Sequence, residues 1–184
     1  MPKQIRKLNE LTSLCHRRWS IPLLALLAGM EGARFVQIQR ALNLSRQPLR
    51  DNLDALMDLG YIKRNPGHGH PLRPEYLLGV KGQRIAPACA KLMVFLEKNG
   101  LAELASRKWS LPVIAALAHG ATRFVDLNKL LGAVSPRALA LAIKSLENSG
   151  LVIRKVGGGH PPTVRYELSP PGKKLAAKLD AILV

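Results

Sequence analysis

The chain has 184 residues, and its 28 Lys and Arg against 12 Asp and Glu give a formal net charge of +16. A composition of 47% hydrophobic and 22% charged residues excludes a disordered chain, and two cysteines are too few for a disulfide framework. The longest apolar run, residues 21–30, is too short to span a bilayer and the first residues lack the apolar segment of a secretion signal, so we expect a cytoplasmic protein that binds a polyanion rather than a membrane protein.

The sequence repeats itself at an interval of about 90 residues. The segment RWSIP at 18–22 recurs as KWSLP at 108–112, and further matches stay in step with it along the chain. Two copies are too few for a solenoid, in which many repeats stack in a row. We therefore predict two tandem domains, residues 1–94 with flanking helices and residues 95–184 with a C-terminal helix.

In chain order, each unit begins with three predicted helices. The first follows the Trp, with Ser20 or Ser110 as its N-cap, and the second begins at the Phe of a repeated RFV motif. After a short turn the third helix begins, with Ser45 or Ser135 as its N-cap, and it ends at a glycine. Two helices joined by so short a turn are typical of a helix-turn-helix.

Two β-rich runs follow the third helix on either side of a Gly- and Pro-rich stretch. They span residues 61–64 and 75–78 in the first unit, and residues 151–155 and 164–168 in the second. This pattern predicts a hairpin, which completes a winged helix, and a further helix closes each unit. The predicted fold class is therefore mainly α with small β-hairpins (α+β): two tandem winged helix-turn-helix domains that form an intrachain pseudo-dimer.

The chain resembles the HxlR-type winged-helix transcriptional regulators, which are relatives of the MarR group. The resemblance rests on the Lys/Arg-Trp-Ser motif and, in the second half, on SPR at 135–137, LENSGLV at 146–152 and YELSPPG at 166–172. Members of this family typically have one domain per chain and bind operator DNA as homodimers. The resemblance implies double-stranded DNA as the partner, and a monomer with internal pseudo-twofold symmetry would suffice to bind it.

The N-terminal part of the third helix would meet base edges in the major groove. In the first unit it carries Arg46, Gln47 and Arg50, which can pair with guanine and adenine. In the second unit it carries Arg137 and Lys144 among alanines. We expect the two units to read unlike half-sites, or the second to grip mainly the DNA backbone.

The other candidate DNA contacts are the cap hydroxyls, the cations and histidines of the wings, and the arginine that opens the second helix of each unit. They are Ser45, Ser135, Lys63, Arg64, Arg73, Arg154, Lys155, Arg165, His68, His70, His160, Arg34 and Arg123. For Arg34 and Arg123, phosphate contact and a structural ion pair stay equal alternatives.

The sequence indicates no catalytic, cofactor or metal site. His68 and His70 lie close together, but a zinc site needs three or four ligands. The two Trp residues, one at the start of the first helix of each unit, favour core packing over base stacking. Cys15 and Cys89 lie on apolar stripes, which predicts buried structural thiols.

We therefore predict a cytoplasmic, nucleoid-associated, double-stranded DNA-binding transcriptional regulator, with its two winged helices about 34 Å apart on one DNA face. Two other functions stay open. The alanine-rich third helix of the second unit is compatible with a protein-interaction adaptor that has lost DNA binding, because fold does not fix function. The net charge is also compatible with a sequence-neutral architectural nucleic-acid-binding protein. A protein partner or a small-molecule effector stays open as well, and no residue identifies one.

Overall fold

The computed structural model describes residues 3–68, 73–158 and 162–183. In this part of the chain the helices are α1 (Lys3–Cys15), α2 (Ser20–Leu27), α3 (Phe35–Ala41), α4 (Arg46–Asp58), α5 (Val80–Lys98), α6 (Ser110–Ala118), α7 (Phe124–Leu131), α8 (Pro136–Asn148) and α9 (Pro170–Asp180), with a 3-10 helix at Ala102–Ser106. The strands are β1 (Ala33–Arg34), β2 (Ile62–His68), β3 (Arg73–Leu78), β4 (Val152–Gly157) and β5 (Thr163–Leu168).

From the helix after the Trp onward, the two repeats have the same order of helices and hairpin strands. In the first repeat β2 and β3 form an antiparallel hairpin, and β1 adds to β3 with Ala33 opposite Tyr76. In the second repeat β4 and β5 form the hairpin, and the N–H of Tyr166 donates to the carbonyl of Thr122 at 2.8 Å, which is the counterpart of the pairing between β1 and β3. The predicted fold class of two tandem winged helix-turn-helix domains is confirmed.

Each repeat has a core built on its helix-turn-helix. The third helix of each repeat buries the side chains predicted from its periodicity, at four-residue and three-residue spacing. They are Leu49, Leu53 and Leu56 on α4, and Leu139, Ile143 and Leu146 on α8. Because these stripes face the core, the opposite faces of α4 and α8 are the ones that each repeat presents to solvent.

The predicted N-caps of α2 and α6 are wrong. Ser20 and Ser110 are the first helical residues and only 1% exposed, while Trp19 and Trp109 occupy the cap positions without a capping side chain. A capping serine would accept from the N–H two or three residues further on. The residue two positions on is a proline, which has no N–H, and the next N–H, that of Leu23 or Val113, already donates to the carbonyl of Trp19 or Trp109. At α8 the prediction is confirmed, since Ser135 Oγ accepts from the N–H of Ala138 at 3.2 Å. Ser45 occupies the cap position of α4 without such a bond.

Packing divides the chain differently from the repeat. One compact unit combines the chain up to His16 with Arg107–Leu183, and the other is Arg17–Ser106. Accordingly α1 contacts α6 and α7, whereas the 3-10 helix contacts α2 and α5. The sequence predicts a boundary between residues 94 and 95, but that point lies inside the continuous helix α5. The segment that enters each repeat thus buries its apolar side chains, such as Leu14 and Leu104, against the other repeat's helices.

Because of this exchange, two matched substitutions should destabilise different repeats. Leu14→Ala and Leu104→Ala each remove a side chain that is at most 1% exposed, at equivalent places in the two repeats. We expect each to cost about 2–5 kcal/mol, because a buried cavity is left behind. Hydrogen exchange read by mass spectrometry should rise in α6 and α7 for Leu14→Ala, and in α2 and α5 for Leu104→Ala. The opposite assignment of peptides would show that the entering segments pack on their own repeats.

A glycine near the start of the closing helix allows the wing to meet that helix. A Cβ on Gly172 would lie 2.1 Å from the carbonyl oxygen of Leu151, and a Cβ on Gly82 would lie 2.0 Å from that of Tyr61. The same carbonyls accept hydrogen bonds from the N–H groups of Ser169 and Gly79. In both repeats the backbone of the closing helix therefore contacts the backbone just before the hairpin directly, and the space between them admits no side chain.

We expect Gly172→Ala to lower the free energy of unfolding by about 1–3 kcal/mol, because the backbone must move to admit the methyl group. Gly158→Ala is the control, since nothing lies within 4 Å of its Cβ position. Urea unfolding can be followed by the fluorescence of Trp109, in the same unit, after Trp19→Phe removes the other indole. Equal midpoints for the two alanine variants would contradict the tight contact.

Candidate nucleic-acid interface

Helix α4 presents its charged face to solvent. Arg46, Gln47 and Arg50 are all exposed, because the apolar stripe on the other side of the helix faces the core. Gln47 Nε2 donates to Asp51 Oδ1 at 2.7 Å, which uses one of the two amide hydrogens of Gln47. The three side chains that the sequence predicts as base contacts therefore share one accessible surface.

Helix α8 also turns its apolar stripe to the core of its own repeat, but its exposed face carries different side chains. Arg137 and Lys144 are exposed as predicted, and between them lie the exposed Ala140 and Leu141. Leu141 is 62% exposed, although it belongs to a helix that buries its other large apolar side chains. The accessible face of α8 is thus apolar at its centre and cationic at both ends.

In each repeat a side-chain hydrogen bond connects the third helix to the segment that precedes the first helix. In the first repeat Asn52, only 5% exposed, accepts from the N–H of Trp19 at 3.1 Å and donates to the carbonyl of Pro48 at 2.6 Å. In the second repeat Arg107 donates to the hydroxyl of Ser145 on α8. Neither hydrogen bond is predicted from the sequence. The signal for the first was a polar residue, Asn52, lying on the apolar stripe of α4.

The two tryptophans are half-buried, and each has the preceding cation over its ring. Arg18 Cζ lies 5.3 Å from the ring centre of Trp19, and Lys108 Nζ lies 5.0 Å from that of Trp109. The sequence predicts that these rings pack in the core, and the structure buries them only in part. The cation–π contact stabilises the part of each ring that stays exposed.

In the first repeat the arginine before α3 is engaged within the sheet. Arg34 Nε lies 3.5 Å from Glu75 Oε1, and the two residues are opposite each other on β1 and β3. The structural ion pair, one of the two alternatives for Arg34, is thus present. On β2, which pairs with the other edge of β3, Lys63 and Arg64 are both exposed.

In the second repeat the same row of the sheet is cationic. Lys155 is opposite Arg165 in the hairpin, and the bond from Tyr166 to Thr122 brings Arg123, the next residue, beside Arg165. Arg165 thus stands where the first repeat has Glu75. Lys155 Nζ pairs with Glu167 Oε2 at 2.7 Å, whereas no described carboxylate pairs with Arg123 or Arg165. We call Lys155, Arg165 and Arg123 the cation row.

The other predicted contacts belong to the two hairpins or lie outside the described residues. Arg154 is exposed on β4, next to the cation row but on the opposite face of the hairpin. The backbones of His68 and Arg73 are opposite each other at the outer end of the first hairpin. His70 and His160 lie outside the described residues. Within the described residues, no three His, Cys, Asp or Glu side chains are grouped as a metal ion would require.

Both cysteines are buried, as predicted. Desolvation raises the pKa of the Cys89 thiol to about 12, and a backbone hydrogen bond opposes this rise only in part. Because the thiolate is the nucleophile, a thiol with so high a pKa reacts slowly at neutral pH.

We expect Cys89 to resist alkylation by iodoacetamide at pH 8 while the protein is folded, and to react readily in 8 M urea. The native rate should stay low even at pH 9, since the folded thiol ionises only near pH 12 whereas an unfolded thiol ionises near its ordinary pKa of 9.0. Peptide mapping by mass spectrometry measures both rates. Rapid native labelling of Cys89 would contradict its burial.

A helix-turn-helix followed by a β-hairpin, with the face of the third helix open, defines the winged helix-turn-helix class, here present twice. The chain belongs to the HxlR-like helix-turn-helix family, whose model matches residues 14–103 and again residues 104–183. Two separate matches in tandem agree with the internal repeat.

The similar relatives include two proteins named as uncharacterized HTH-type transcriptional regulators. YtfH of Escherichia coli (strain K12) is 35% identical over 75 residues, which are 41% of this chain and 60% of YtfH. YtcD of Bacillus subtilis (strain 168) is 32% identical over 80 residues, which are 44% of this chain and 64% of YtcD. The chain thus spans about three fifths of the curated relatives that it matches.

A solved structure, the reduced form of the transcriptional regulator YodB from B. subtilis, is 27% identical to this chain. It aligns with a TM-score of 0.42 over 46% of this chain and 82% of its own. No helix in the described part of this chain combines the length and the apolar character needed to cross a membrane.

Proposed function

We propose that the protein is a transcriptional regulator that binds double-stranded DNA in the cytoplasm, and that both winged-helix repeats contact the duplex. One observation carries the proposal: in both repeats the third helix turns an accessible, cation-bearing face to solvent at its N-terminal half. Arg46 and Arg50 on α4 would contact base edges, and Arg137 and Lys144 on α8 would flank a second contact surface. The chain's membership of a helix-turn-helix family supports this assignment.

The wings would hold the DNA backbone. Like charges opposite each other destabilise a sheet, and within the cation row Arg123 and Arg165 pair with no described carboxylate, so an anion bound beside them would stabilise this part of the wing. Phosphate oxygens would supply it, and guanidinium groups bind them in bidentate fashion. In the first repeat Glu75 already neutralises Arg34, which leaves Lys63 and Arg64 as the main wing contacts. Further contacts with the DNA backbone would come from Ser45, Ser135, Arg154, His68 and Arg73. We also assign such contacts to His70 and His160, which lie outside the described residues.

The test begins with in vitro selection of a binding site from randomised duplexes, followed by fluorescence anisotropy at several salt concentrations. If about eight cations each neutralise one phosphate, log K should fall with log[salt] at a slope of about −7. Arg123→Ala should make the slope shallower by about 0.9, whereas Arg34→Ala should change it less, because Arg34 already has a carboxylate partner. Lys98→Ala, on the exposed end of α5, is the charge-matched control.

Each contrary result points to a different function. Salt-dependent binding without an enriched sequence would favour an architectural nucleic-acid-binding protein. Absence of duplex binding at 50 mM salt would overturn the proposal and favour a protein-interaction adaptor. Equal effects of Arg123→Ala and Lys98→Ala on the salt slope would show that the cation row does not contact the DNA.

A further inference from the structure

The accessible face of α8 carries an apolar patch that the fold itself does not use. Arg137, Ala140, Leu141 and Lys144 follow the spacing i, i+3, i+4 and i+7, so they share one side of the helix. All four are exposed, and Leu141 has 62% of its surface in contact with solvent. The core stripe lies on the opposite side, so no rotation of α8 could bury Leu141 without exposing the core.

The equivalent face of α4 is polar. Arg50 stands where α8 has Ala140, and Asp51 stands where α8 has Leu141. In α4 the carboxylate of Asp51 accepts a hydrogen bond from the side-chain amide of Gln47. The two repeats therefore share their core stripe and differ where a helix-turn-helix would meet its target.

The surroundings of the patch limit what can cover it. Arg137 and Lys144 flank it, Ser135 caps the N-terminus of α8, and the cation row belongs to the same repeat. An occupant must be strongly anionic at the edges and offer an apolar group at the centre. The major groove of DNA meets both conditions, since phosphates line it and the C5-methyl of thymine is the apolar group on its floor.

We propose that Leu141 and Ala140 recognise thymine C5-methyl groups, so that the second repeat selects thymine by apolar contact while Arg46 and Arg50 of the first repeat select guanine by hydrogen bonds. This inference rests on the proposed DNA-binding function. It predicts an asymmetric site, with a thymine-containing half and a guanine-containing half, rather than the palindrome that a symmetric homodimer binds.

The test replaces single thymines of the selected duplex by deoxyuridine, which removes only the methyl group and keeps every hydrogen-bonding atom. Anisotropy at one fixed salt concentration should show a loss of about fourfold in affinity at one or two positions, all in the same half-site. That factor corresponds to about 0.8 kcal/mol for each buried methyl group.

In Leu141→Ala at least one of these uracil substitutions should have little effect, because the leucine that contacts that methyl group is lost, whereas a methyl group contacted by Ala140 should keep its effect. The substitution removes an exposed side chain, so the fold should persist, and circular dichroism checks this. Val80→Ala truncates another exposed apolar side chain, 78% exposed on α5, and should keep the full uracil effect. The salt slope should be the same for all three proteins, since no cation is changed.

The inference is overturned if uracil lowers the affinity at no position of the site, if Leu141→Ala keeps the full loss at every position, or if selection enriches no sequence. In the first two cases salt-dependent, sequence-specific binding would leave the proposed function standing. Absence of duplex binding would instead remove the proposed function, and the apolar patch would then favour a protein partner.

Discussion

The burial of one apolar stripe on the third helix of each repeat determines which side chains the protein presents to other molecules. Leu49, Leu53 and Leu56 are fully buried on α4, and α8 keeps the same stripe. Burying a leucine contributes about 1.5–3 kcal/mol, whereas the helix propensities of ordinary residues differ by less than about 0.7 kcal/mol. The stripe therefore sets the rotation of each helix, and whatever residues lie opposite it become the accessible face.

This constraint leaves the accessible face free to change. The two subunits of a homodimer have the same sequence and therefore the same surface, whereas two copies within one chain can diverge independently. Two differences lie at positions that the core does not control: Asp51 against Leu141 on the helix, and Glu75 against Arg165 on the wing. Both changes replace an acid, so the third helix of the second repeat carries fewer acids than α4, and the acid of its wing, Glu167, lies at another position than Glu75.

The glycine at the junction of wing and closing helix illustrates the opposite case. Gly82 and Gly172 both lie against a backbone carbonyl at a distance that no side chain permits. Packing of this kind tolerates no divergence, because the atom in the way belongs to the backbone and cannot adopt another rotamer. Both repeats thus keep this glycine, whereas exposed positions such as that of Leu141 differ between them.

Periodicity and repetition in the sequence determined the two winged helices, the buried stripes, the cap at Ser135 and the burial of Cys89. These features depend on residues three to four apart, or on a pattern that occurs twice, and both are visible along a single chain. Only the tertiary structure decided that α1 packs with the second repeat, that Asn52 holds the N–H of Trp19, and that Arg123 lies beside Arg165. Each of these depends on which distant segments meet, and many different pairings would bury the same apolar side chains equally well.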